Sequence, residues 1–136
     1  MPEKTPVATI ESFYAAINRR EFATAYTAWV DGGKASKRDF AQFQEGFTST
    51  QRVVITMGEP TGEGAAGTIY ANVPILIVAT NTNQLQQTFC GVYTLRRINV
   101  PPFDQLGWSI ARASIKSTAN VLLGSDQARH LVSGGC

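Results

Sequence analysis

The sequence predicts an α+β domain: three amphipathic helices, then about four antiparallel strands, with the helices gathered on one face of the sheet. Three observations predict it. Apolar residues recur at helical spacing in the first third of the chain. They recur with a period of two from Arg52 onward. The helical and strand patterns follow one another and do not alternate.

Each helix has its own signals. Thr5-Pro6 supplies a cap and a first-turn proline, and Ile10, Phe13, Tyr14 and Ile17 follow at helical spacing as far as Asn18-Arg19. A second, shorter helix starts around Arg20-Glu21 and places Phe22, Ala25, Tyr26 and Trp29 on one side. Asp31-Gly32-Gly33 stops it. Ser36 with Asp39 three residues later reads as a variant capping box, and the helix beyond carries Phe40, Phe43 and Phe47.

The strands begin at Arg52–Met57, where Val53, Ile55 and Met57 share a face. Gly58 to Gly67 reads as a loop. Its Gly62-Glu63-Gly64-Ala65-Ala66-Gly67 spells the dinucleotide-binding pattern, but a strand follows it where that site needs a helix. Thr68 to Ile98 is a long hairpin turned at Asn81-Thr82-Asn83-Gln84. Ile69, Ala71, Val73, Ile75, Ile77 and Ala79 form one face of its first arm, and Phe89, Tyr93 and Leu95 match them on the second. Leu76, Val78, Cys90 and Val92 make the opposite face apolar as well, which predicts a homodimer through the outer side of the sheet. Val100-Pro101-Pro102-Phe103-Asp104 interrupts the sheet, and Trp108–Lys116 is the last strand. The domain is therefore expected over residues 1–116, with 117–136 a dispensable C-terminal tail.

Composition narrows the function. The 136 residues suit one domain, and 43% hydrophobic against 16% charged residues is a globular balance. A net charge of +2 gives no reason to expect nucleic acid. No apolar run reaches the roughly 20 residues of a membrane helix. As written the chain reads as cytoplasmic; removal of an export signal would make it periplasmic. Cys90 and Cys136 offer neither a disulfide framework nor a metal spacing, and read as a half-buried thiol and a tail thiol. The single histidine, His130, sits in the tail, so no metal and no cofactor is expected.

Phe13-Tyr14-Ala15-Ala16-Ile17-Asn18-Arg19-Arg20-Glu21-Phe22-Ala23-Thr24-Ala25-Tyr26 resembles the opening of the NTF2-like superfamily, with its aromatic helix, short polar break and second helix. Ser36-Lys37-Arg38-Asp39-Phe40 resembles the start of that family's third helix, and Trp108-Ser109-Ile110 its final strand. The helical half also resembles the NTF2-like domain at the front of some penicillin-binding transpeptidases. The superfamily resemblance implies a cystatin-like cone with a cavity at its open end. Tyr14, Trp29, Phe40, Phe43, Phe89, Tyr93, Trp108 and Ile110 are the candidates to line it. Arg112 shares strand parity with Trp108 and Ile110 and would face an anionic ligand, unless a bulge between Ile110 and Ile115 reverses the parity.

Three functions follow. The first is a non-catalytic module binding a small apolar or weakly anionic ligand, or a protein partner. The second is an isomerase, cyclase or dehydratase using the Asp31 carboxylate with Tyr14 or Tyr93, since Trp29 is close enough in sequence to desolvate it. The third is an accessory or dimerisation domain of a bacterial envelope assembly.

Overall fold

The computed structural model describes residues 5–65, 68–98 and 107–136. The predicted break at Val100–Asp104 lies outside them. Helix α1 spans Pro6–Asn18, α2 Phe22–Tyr26 and α3 Phe40–Glu45, with a 3-10 turn at Asp31–Ser36 between the last two. Strands β1 (Thr50–Met57), β2 (Thr61–Ala65), β3 (Thr68–Asn81), β4 (Gln86–Ile98) and β5 (Ser109–Thr118) follow. A short helix α4 (Asp126–His130) and a wide turn (Leu131–Gly135) complete the described chain.

The start of α1 is as the sequence predicts: Thr5 Oγ1 accepts the Ala8 N–H at 3.0 Å and Pro6 occupies the first turn. The α3 cap is one residue group further on than expected. Asp39, not Ser36, is the cap: its carboxylate accepts the Gln42 N–H at 2.8 Å, and the Gln42 side chain accepts the Asp39 N–H at 3.1 Å. Ser36 instead donates to the Gly33 carbonyl and closes the 3-10 turn. Helix α2 ends at Tyr26, so Trp29 lies beyond it in extended chain.

The sheet is curved and antiparallel, ordered β1-β3-β4-β5, with β2 also on β3. The described residues form five strands and not four because the expected Gly58–Gly67 loop contains β2. β1 covers the Ile75–Asn81 end of β3 and β2 covers Thr68–Asn72, both along the same edge. Pro74 sits at their junction. Its carbonyl accepts the Gly58 N–H at 2.9 Å, so its missing N–H faces the gap between β1 and β2 and costs no ladder bond.

The two faces of the β3–β4 hairpin follow the predicted parity. Val73, Ile75, Ile77, Tyr93 and Leu95 are buried against Ile10, Phe13, Tyr14 and Ile17 of α1. Asn18 fastens the end of α1 to β1: its amide nitrogen donates to the Val53 carbonyl at 2.9 Å and its oxygen accepts the Val53 N–H at 2.8 Å. The side chain thus stands in for a neighbouring strand.

The outer face departs from expectation. Leu76 and Cys90 are completely buried, and Ala128 and Val132 bury them, with Val121 and Leu131 alongside. Residues 117–118 complete β5, and the supposed tail folds back over the sheet. Cys90 and Cys136 are joined in a disulfide and are not two free thiols. Spacing could not reveal this, because a separation of 46 positions is closed by the fold and not by local chain geometry. The face proposed for a homodimer is thus occupied at Leu76 and Cys90 by the chain's own residues.

Candidate functional site

A cavity of about 370 Å³ opens at the wide end of the cone. Phe13, Trp29, Phe43, Phe47 and Tyr93 line its interior, Ala35 to Arg38 form one lip, and Arg112 with Ala113 form the other.

Phe13 is the hub of the aromatic wall. Its ring lies 4.9 Å from Tyr14, 6.2 Å from Phe43, 6.3 Å from Trp29 and 6.5 Å from Tyr93, mostly edge to face. Trp29 is held by backbone pairing with β5. Val30 N–H donates to the Ile110 carbonyl and Ile110 N–H donates to the Ala28 carbonyl, both at 2.8 Å. The Trp29 indole nitrogen is buried and has no hydrogen-bond partner among the described residues.

The first lip is built by Tyr26. Its hydroxyl donates to the Arg38 carbonyl at 2.6 Å. A side chain at Gly33, where φ is 113°, would overlap the Tyr26 ring, so glycine is required for the turn to lie against it. Lys37 also adopts a left-handed conformation, φ 65°. The turn brings Lys37 and Arg38 to the cavity mouth, opposite Arg112. None of these three cations forms an ion pair with another described residue; the ion pairs found are Arg19–Glu21 and Arg129–Asp126, both far along the chain. Among the described residues, no acid and no histidine lines the cavity.

The bulge considered for β5 is present. Ile110 pairs with Leu95 and Arg112 with Thr94, leaving Ala111 as the extra residue. Ile110 therefore points into the core, and beyond the bulge Ala113 and Ile115, opposite Tyr93 and Gly91, take the inner register. Arg112 is exposed, on the register of the outer face, and reaches the cavity only at its rim.

Of the residues expected to line the pocket, Trp29, Phe43 and Tyr93 are brought together there, and Arg112, the candidate for an anionic ligand, lies at the rim. Tyr14 and Ile110 are buried behind the wall. Phe89 and Trp108 are half-buried and pack against the core, and Phe40 is exposed and meets Tyr26 edge to face. Phe13 was on the expected helix face, whereas α3 ends at Glu45 and Phe47 lines the cavity from the turn beyond it; only the tertiary arrangement distinguishes a lining aromatic from a core one. Lys37 and Arg38 had no signal beyond proximity to a turn.

Tyr14 and Tyr93 face each other with their hydroxyl oxygens 2.6 Å apart. Burial pushes both phenols upward, Tyr93 to about 12 and Tyr14 well above its ordinary value, the latter also because a neighbouring phenolate would repel its own ionisation. Both stay protonated at neutral pH, so the pair donates hydrogen bonds and does not act as a base. Asp31 lies outside the cavity. It is exposed, at φ 61°, in the turn that ends the helical segment. Trp29 does not desolvate it, because Trp29 turns inward to pair with β5 while Asp31 turns out.

Helices packed in the concavity of a bent antiparallel sheet, with the cavity between them, decide the fold. It is NTF2-like. The chain superposes on an NTF2-like superfamily protein from Salmonella enterica serovar Typhimurium with a TM-score of 0.57 and 14% identity, over 86% of this chain and 91% of that one. It matches a hexachlorocyclohexane dehydrochlorinase, LinA type 2, with a TM-score of 0.53 and 10% identity, over 88% and 93%. A protein of unknown function from Mycobacterium tuberculosis matches with a TM-score of 0.54 and 11% identity, over 93% and 84%. At such identities the likeness extends to the fold alone. No protein-family model and no curated protein sequence matches the chain.

Proposed function

We propose that the chain is a binding module whose NTF2-like cavity takes a small, mainly apolar molecule carrying one acidic group. The observation behind this reading is the composition of the cavity among the described residues: an aromatic interior under a mouth with three cations that form no ion pair, and no acid. An aromatic wall favours a flat apolar body. Lys37, Arg38 and Arg112 at the rim favour a carboxylate or similar anion left partly in water, where its desolvation cost is small. About 370 Å³ is at the lower end of small-molecule sites, so the ligand is compact.

The enzyme reading requires a carboxylate within reach of Tyr14 or Tyr93. The exposed position of Asp31 gives it no support, and the described residues of the cavity lining offer no other acid. The envelope-accessory reading drew on an open apolar outer face, which the residues after β5 occupy at Leu76 and Cys90.

The test is a thermal-shift and calorimetric comparison of compact aromatic and alicyclic carboxylates with the corresponding primary amides. Carboxylates should bind at least about tenfold more tightly, and Arg112→Ala or Lys37→Ala should remove most of that preference. Raising the salt concentration should weaken the carboxylates and leave the amides unchanged. Equal binding of acid and amide, or no binding by any of them, would refute the proposal.

A further inference from the structure

The outer face of the hairpin carries a second, separate apolar cluster. Leu76, Cys90, Ala128 and Val132 form it, and it shares no residue with the core under the helices. The segment that covers it is short of intrinsic stability. Helix α4 is five residues long, well below the roughly 12–15 residues an isolated helix needs in water. Its seat therefore depends on what fastens it to the sheet.

Among the described residues the fastenings are few. Near the start of the segment, the Thr88 hydroxyl donates to the Asn120 side-chain oxygen at 2.7 Å. In the middle, an added Cβ at Gly58 would overlap the Val132 carbonyl oxygen, so glycine lets the turn lie directly on the sheet. At the far end, Cys136 is bonded to Cys90. The disulfide is lopsided: Cys90 is fully buried and Cys136 is exposed.

We propose that residues 119–136 are a redox-latched cover, held shut by the Cys90–Cys136 disulfide and released when a dithiol reduces it. The exposed Cys136 sulfur is the point of entry. A reductant thiolate attacks it, the Cys136–Cys90 bond breaks, and Cys90 leaves as a thiolate that takes up a proton. The second thiol of the reductant then attacks the mixed disulfide, releases Cys136 as a thiol and leaves the reductant as its own disulfide. Two electrons pass to the protein and two protons end on its sulfurs. Without the bond, a five-residue helix and a few small side chains do not hold the seat, and Leu76 and Cys90 become accessible. In an oxidising compartment the latch stays shut, and in a reducing one it opens.

The test uses the full chain. It is reduced with dithiothreitol, desalted without oxygen, pulsed with iodoacetamide, and the alkylation of each cysteine is followed by mass spectrometry. A released cover predicts that Cys90 is alkylated within about tenfold of the rate of Cys136, while the near-ultraviolet circular dichroism of the aromatic wall is retained. Slower alkylation of Cys90 would mean that packing alone holds the cover, and the proposal fails. Loss of the aromatic signal would make the disulfide a staple of the whole fold, and the proposal fails equally. Cys136→Ser gives an independent reading: Cys90 should react without any reductant, and trypsin should cut after Arg129 faster than in the oxidised chain. Unchanged cleavage and a protected Cys90 in that variant would also count against the latch.

Discussion

The two faces of the β3–β4 hairpin are equally apolar in their middle turns yet are buried in different ways. The inner face meets a helix, α1, whose own apolar side was written into the sequence, and the two form one large core. The outer face meets a segment with no firm periodicity, held by a disulfide and a few small residues. A strand's period of two says which side chains share a face. It does not say what covers that face. An apolar outer face was grounds to expect a cover, and a second copy of the chain and the chain's own last residues satisfy that pattern equally.

The comparison can be sharpened by truncating matched residues on each side. Ile75 and Leu76 are neighbours, both fully buried, one on each face. Ile75→Ala should cost about 4 kcal/mol, near the upper part of the range for buried aliphatic truncations, because a close-packed core around it relaxes little. Leu76→Ala should cost about 2 kcal/mol, because the thin cover can settle into the space. Urea unfolding of the oxidised protein measures both. Equal losses would show that the cover is as rigid as the core, and the distinction between the faces would fall.

Between those two values lies the disulfide. Linking cysteines 46 residues apart restricts the unfolded chain, and Cys136→Ser should lower stability by roughly 3 kcal/mol in the chain-entropy account. Truncation after Thr118 should lower it at least as much, since it also exposes Leu76. This reverses the expectation of a dispensable tail. A change of the unfolding midpoint by no more than a degree or two would restore that expectation.

The next effect is smaller and lies within the inner face. Tyr14→Phe leaves the Tyr93 hydroxyl buried without its partner and should cost about 1–3 kcal/mol. The double Phe variant should recover much of that loss, because neither group is then unsatisfied. The pair also sets an alkaline limit. A phenol whose pKa is raised on folding contributes stability that is complete below its unfolded value near 10. That stability is lost as pH rises toward about 12 for Tyr93, a contribution of roughly 3 kcal/mol. Stability measured from pH 9 to 12 should fall in the wild type and fall less in the double Phe variant. Parallel curves would place the alkaline transition elsewhere in the molecule.

These contrasts also explain what could be read from residues alone. The cap at Thr5, the inner-face parity, the turn at Asn81–Gln84 and the order of helices before strands depend on near neighbours, and all are found in the fold. β2 was missed because Gly62 and Gly64 carry no side-chain pattern, and its pairing comes entirely from β3. The cavity was half legible. Phe43 and Tyr93 are aromatics on faces the sequence could assign, whereas Trp29 is placed by its pairing with β5 and not by a helix face, and Lys37 and Arg38 reach the mouth through a left-handed turn and a Tyr26 hydroxyl bond that no local pattern encodes.

Asp31 carries the smallest expected effect and decides most about chemistry. Its carboxylate is exposed and its backbone, at φ 61°, is left-handed, a conformation asparagine adopts at least as readily as aspartate. Asp31→Asn should therefore change stability by no more than about 0.5 kcal/mol. It should also leave carboxylate binding in the cavity unaltered, because Asp31 is not part of the lining. If mass spectrometry instead detects conversion of a bound ligand by the wild type, and the conversion disappears in Asp31→Asn, the turn must move to bring that carboxylate to the Tyr14–Tyr93 pair. The binding-module reading would then give way to an enzyme whose acid lies outside its cavity in this conformation.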